Sequence, residues 1–104
     1  MLHMLEAAEK AVEFTEDMSE EQFLADERTV RAVVQLISVI GEAARHVDPK
    51  VQEQFDLEWH AVVAMRNHLV HGYYQIDMNR TYATVTEDLP PLIAALRAQL
   101  DESP

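Results

Sequence analysis

The sequence predicts an all-α protein, a small antiparallel bundle of about five to six helices. Three observations carry this. Only two of the 104 residues are glycine and four are proline, too little turn punctuation for a sheet. Alanine, leucine, valine and glutamate, which favour helices, are plentiful. Apolar residues recur at i, i+3, i+4 and i+7, most clearly between Val30 and Ala44. A chain of this length is read as one domain, residues 1–104.

The elements follow in order. A first helix is predicted from about Leu2 to Glu16, with Leu5, Ala8 and Val12 at helical spacing. Ser19-Glu20-Glu21-Gln22 has capping-box spacing and opens a short helix that carries Phe23 and Leu24 inward. Asp26 then caps a core helix whose stripe is Val30, Val33, Val34, Ile37, Ile40, Gly41 and Ala44. Glycine inside a helix costs about 1 kcal/mol relative to alanine. The predicted compensation at Gly41 is close approach of another helix. Asp48-Pro49 reads as an N-cap followed by proline at the first helical position, with the helix reaching about Gln54. Asp56 is the candidate cap of the next helix, from Trp59 to about His71, with Gly72 at its left-handed end. Asp77 caps a further helix with Met78, Tyr82, Val85 and Leu89 on one stripe. Asp88-Leu89-Pro90-Pro91 is expected to interrupt it before Leu92, Ile93, Leu96 and Leu100 continue helically.

Composition narrows the function classes. No cysteine occurs, which excludes a disulfide scaffold and thiolate metal sites and fits a reducing compartment. The first residues lack the pattern of a secretory signal, and no run of about 18 apolar residues offers a membrane span. A cytoplasmic protein without a membrane role is the expectation. The net charge is −11, which opposes nucleic-acid binding in general. Its distribution matters more. Nine acids face Lys10 alone between Met1 and Glu27. Between Trp59 and Thr86 only Asp77 opposes Arg66 and Arg80, and His60, His68 and His71 lie in the same stretch. The acidic part reads as a solvated face or as a docking surface for a basic partner.

The chemically interesting segment is Arg66-Asn67-His68-Leu69-Val70-His71-Gly72-Tyr73. On a helical wheel Trp59, Val62, Val63, Leu69 and Val70 form an apolar stripe with Arg66 at its middle. A guanidinium there snorkels to solvent, pairs with a carboxylate such as Glu42, or faces an interface. Arg66 and His71 stand about 140° apart on a straight helix. They converge only if the helix ends near His71 or if a second copy supplies one of them. His68 and His71 make an HxxH pair, but no third or fourth ligand is evident, so a metal site is disfavoured. His60 lies about 16 Å along the axis from His71, too far to share an ion with it. Tyr74 and Tyr82 read as packing residues.

Arg66, His71 and Tyr73 have the spacing R-x4-H-x-Y, and the segment resembles the motif of the HepT toxins, a branch of the HEPN superfamily. The resemblance extends over nearly the whole chain, through Leu5-Glu6-Ala7-Ala8-Glu9-Lys10, Ser19-Glu20-Glu21-Gln22-Phe23, Ile40-Gly41-Glu42-Ala43-Ala44, Met65-Arg66-Asn67 and Asp88-Leu89-Pro90. It departs at the start, where the first helix is shorter than the family's. The resemblance implies a HEPN-type bundle acting as a homodimer, and a metal-independent endoribonuclease with both motifs at the shared interface. It also implies the toxin role in a type VII-like toxin–antitoxin pair. The antitoxin would be an MntA-like nucleotidyltransferase that silences the toxin by AMPylating Tyr73.

The residue types agree with that chemistry. Cutting RNA without a metal or other cofactor needs a base, an acid and positive charge on the phosphorane. His71 from each protomer would divide the first two roles, since imidazole titrates near neutrality. Arg66 would stabilise the developing charge. Asn67 and Glu42 are supporting candidates. The competing reading is a non-catalytic helical module that docks a nucleotidyltransferase and presents its substrate, and the −11 charge favours it.

Overall fold

The structure is a computed structural model that describes residues 2–70 and 75–102, with side chains through Leu100. It is all helical apart from one antiparallel bridge, Val70 to Ile76, among the described residues. Helix α1 spans Leu2–Thr15, α2 Glu20–Ala25, α3 Glu27–Arg45, α4 Pro49–Gln52 and α5 Trp59–Ala64. A 3-10 turn, Met65–His68, continues α5. Helix α6 spans Met78–Ala83, a π turn follows at Thr84–Asp88, and α7 runs Leu89–Glu102. No helix of the described residues is long and apolar enough to cross a membrane.

Local chemistry explains the early boundaries. Ser19 Oγ accepts from the Gln22 N–H at 3.1 Å, and Gln22 Oε1 accepts from the Ser19 N–H at 2.9 Å, so the capping box is closed. Asp26 ends α2 and caps α3, accepting from the Thr29 N–H and hydroxyl. Those two bonds to Thr29 hold its carboxyl below the usual carboxylate range. Asp48 caps α4 through the Lys50 N–H at 2.8 Å, with Pro49 behind it. Helix α4 is shorter than the predicted reach to Gln54, ending in a turn that buries Phe55.

Helix α3 is the spine. Its whole predicted stripe, Val30 through Ala44, is buried. Helix α1 packs along it through Met4, Leu5, Ala7, Ala8 and Ala11, and α7 closes over α1 with Leu89, Leu92 and Leu96. Burying each large aliphatic side chain contributes about 1.5–3 kcal/mol against the entropy of ordering the chain. Phe23 plugs the end of the core between α3 and α6, its ring 5.5 Å from that of Tyr82, the packing role expected for that tyrosine.

Helix α5 crosses α3 at Gly41. A Cβ on Gly41 would stand 3.1 Å from the Val63 carbonyl oxygen and 3.6 Å from that of Val62. Backbone therefore replaces side chain as the neighbour, which is the close approach expected there. Gly41→Val should destabilise the fold by about 1–3 kcal/mol through overpacking. Gly41→Ala should change stability less, because about 1 kcal/mol of helix propensity offsets the tighter contact. Urea unfolding checks both, and a valine variant as stable as wild type would show that the crossing has slack.

Three further boundaries differ from expectation. Asp56 does not cap α5; the N-cap is Glu58, which makes no side-chain cap. The anchor there is tertiary: the Trp59 indole N–H donates to the Gln52 carbonyl at 3.1 Å, and its ring meets Phe55 edge-on. Secondly, α-helical geometry stops at Ala64 instead of continuing to His71. Thirdly, the prolines do not break the last helix. Pro90 and Pro91 have no N–H to give, and the strain is absorbed upstream as a wider turn in which the Leu89 N–H reaches back to the Thr84 carbonyl. Thr84 and Thr86 hydroxyls donate to the carbonyls four residues before them, at 2.9 and 3.0 Å. Met78 is exposed, so the stripe of this helix starts at Thr81 and Tyr82 instead.

Candidate active site

The seam that α5 and its 3-10 turn present to the core is Val62, Met65 and Leu69, all buried. The stripe read from the sequence omitted Met65 and was therefore centred too far toward Arg66. With the seam rotated, Val63 and Val70 are half-buried on its flank and Arg66 is exposed. Arg66 makes no ion pair among the described residues. It neither snorkels from the core nor pairs with Glu42. Val62 and Leu69 are consumed within one chain, while Trp59, Val63 and Val70 remain half-buried.

Glu42, Arg66 and Asn67, all nominated from the sequence, line one groove of about 340 Å³. One wall is α3, with Gln35, Ser38, Glu42 and Arg45; the other is Val63, Arg66 and Asn67. The Gly41 crossing forms its floor. The groove holds two guanidinium groups against one carboxylate, a local balance opposite to that of the whole chain. Glu42 is engaged on α3 itself, 3.2 Å from His46 Nε2 and 3.6 Å from Arg45 Nη1. Glu9 and Glu13 of α1 lie elsewhere: with Glu16, just past its end, they border a hollow with Pro90, Ile93 and Arg97, and Arg97 pairs with Glu9.

His68 belongs to a different groove, of about 460 Å³, with Asp56, Glu58, Arg80, Glu87 and Asp88. His60 is exposed and borders neither. No cluster of three His, Asp or Glu side chains among the described residues has the grouping of a metal site. His71 and Tyr73, the proposed catalyst and modification site, lie outside the described residues, as do Gly72 and Tyr74. Val70, which His71 follows directly, is tied to the start of α6: it bridges to Ile76, and the Asp77 N–H donates to the Leu69 carbonyl at 2.7 Å. Asp77 in turn caps α6 through the Arg80 N–H. The chain on both sides of residues 71–74 is thus held at one end of the groove-forming element. Gln35, Ser38 and Arg45 were not singled out from the sequence. Their signal was present: with Glu42 they recur at i, i+3, i+7 and i+10, a polar stripe beside the apolar one.

The chain is similar to known proteins along most of its length. Residues 4–98 match the family described as "Ribonuclease HepT-like". The chain is 34% identical over 88 residues to a Thermococcus cleftensis protein named "Probable ribonuclease HepT", covering 84% of this chain and 80% of that protein. It is 33% identical over 90 residues to a Methanocaldococcus jannaschii protein named "Putative RNase", covering 86% of this chain and 83% of that one. A Caldanaerobacter subterraneus protein with the same kind of name is 28% identical over 91 residues, covering 86% of this chain and 81% of that protein. No solved structure matches the chain significantly.

Proposed function

This chain belongs to the HepT-like ribonuclease family, and on that premise we propose that it is a metal-independent endoribonuclease working as a homodimer. The observation that supports this most is Arg66: an exposed guanidinium without an ion pair among the described residues, beside Asn67 in an open polar groove. Such a group is free to receive a phosphate, and its planar fork matches phosphate oxygens.

In the proposed reaction, the His71 imidazole of one protomer takes the proton from an RNA 2′-hydroxyl. The 2′-oxygen bonds to the adjacent phosphorus, and the bond from phosphorus to the 5′-oxygen breaks. The second His71, protonated, gives its proton to that leaving oxygen. Arg66 neutralises the charge that builds on the phosphorane, and Asn67 orients the phosphate. The products are a 2′,3′-cyclic phosphate and a free 5′-hydroxyl. The dimer brings two motifs together, with the half-buried Val63 lining the same groove as Arg66. The same reading makes the protein the toxin of a type VII-like pair. An MntA-like nucleotidyltransferase would silence it by adding AMP to Tyr73, placing negative charge and bulk where RNA must sit.

The test is incubation of the pure protein, without any partner, with single-stranded RNA in excess EDTA. Internal cuts ending in cyclic phosphate are expected, from a species that sediments as a dimer at micromolar concentration. Loss of cutting on chelation would overturn the metal-free mechanism, and a monomer would overturn the shared site. An inert protein that still binds a nucleotidyltransferase would favour the non-catalytic docking role, the reading the −11 charge supports.

A further inference from the structure

Apart from Glu42, the groove wall opposite Arg66 has no role in the chemistry above. Gln35, Ser38, Glu42 and Arg45 project into the groove from successive turns of α3, with the Arg45 guanidinium at one end. Ser38 donates its hydroxyl to the Val34 carbonyl at 3.0 Å and keeps its lone pairs for a further donor. Gln35 is exposed and has both a donor and an acceptor to offer.

We propose that Arg45 is an RNA-binding residue, holding a phosphate that neighbours the scissile one, with Ser38 and Gln35 lining the path between them. This rests on the nuclease reading and deepens it. A strand whose scissile phosphate lies on Arg66 must continue along the groove or leave it, and α3 provides the only other guanidinium among the groove's lining residues. Arg45 is available for exchange. Its one described pairing, with Glu42, is 3.6 Å long, with both side chains about three-fifths exposed (62% and 60%). Water screens such a pair, whereas a phosphate can take both arms of the guanidinium. Glu42 is not left stranded when Arg45 turns away, because His46 Nε2 stays 3.2 Å from its other oxygen. The position at the last turn of α3 suits a cation before RNA arrives, since the helix dipole favours positive charge there.

The experiment uses the whole protein and a short single-stranded RNA with 2′-O-methyl groups, which binds but cannot be cut. Affinity is read by fluorescence anisotropy across a salt series, and cleavage kinetics are read on the unmodified RNA. Arg45→Ala should weaken binding about tenfold, the scale of one charge-assisted hydrogen bond. The slope of log affinity against log salt should become shallower by about 0.7, the value for one phosphate contact on a single strand. KM should rise by a similar factor while kcat stays within about twofold. Arg45→Lys should restore the salt slope and part of the affinity. Arg97→Ala, in the separate hollow beside Pro90 and paired with Glu9, should change neither quantity. An unchanged affinity and slope for Arg45→Ala, in a protein that cuts RNA, would overturn this proposal alone. A fall in kcat at constant KM would also overturn it, by placing Arg45 in the chemistry. A wild-type protein that neither binds nor cuts RNA would overturn this proposal and the nuclease reading together.

Discussion

Arg66→Ala is expected to slow RNA cleavage by about 10²–10³-fold, the cost of losing a group aimed at transition-state charge. The loss should fall on kcat, because the charge that Arg66 meets is greatest on the phosphorane. The fold should barely notice. Arg66 is exposed, makes no ion pair among the described residues and contributes nothing to the Val62–Met65–Leu69 seam. Exposed substitutions of this kind usually change stability by no more than about 0.5 kcal/mol. Arg66→Lys should recover only part of the rate, since an ammonium keeps the charge without the bidentate fork. Single-turnover cleavage with matched thermal melts separates these effects. Full activity in Arg66→Ala with an unchanged melting curve would remove Arg66 from the chemistry. An alanine variant that fails to fold would contradict the exposure on which the argument stands.

The helical bundle was legible wherever local signals act alone. The capping box at Ser19, the Asp26, Asp48 and Asp77 caps and the seven-residue stripe of α3 all stand where their short-range chemistry puts them. Gly41 was legible too, since an unexplained glycine in a core helix asks for a close neighbour, and the Val63 carbonyl is that neighbour. The misreadings share another cause: tertiary contacts override local preference. Asp56 offers a cap, but the Trp59 indole bond to the Gln52 carbonyl fixes where α5 begins. Pro90 and Pro91 predict a break, but Leu89, Leu92 and Leu96 are all buried, and the chain widens one turn instead of abandoning the helix. At the candidate site, Arg66, Asn67 and Glu42 were nominated by residue type and resemblance, and the structure places all three along one groove. That they share one groove depends on how α3 and α5 cross, which no spacing within either helix encodes. Arg45 was not singled out because a polar stripe on a core helix looks like ordinary solvated surface until the second wall is placed beside it.

The largest effect is expected at His71. His71→Ala should reduce cleavage by about 10²–10⁴-fold, the usual range for removing a general acid or base. In a dimer the substitution removes both imidazoles, so base and acid are lost together and the upper part of that range applies. The pH profile offers a second readout. A reaction that needs one neutral and one protonated imidazole should show a bell-shaped rate profile. Below the maximum the base is protonated, and above it the acid has lost its proton. In His71→Ala that bell should flatten, with the residual rate rising steadily with hydroxide. His68→Ala makes the internal control: its side chain opens onto the other groove, beside Arg80 and Glu87, so it should keep both the rate and the bell. Binding of 2′-O-methyl RNA should survive His71→Ala, since the positive charge of Arg66 and Arg45 remains in the groove. A His71→Ala protein that cuts at the wild-type rate, or a bell that disappears in His68→Ala instead, would move the acid–base chemistry to His68 and its acid-lined groove.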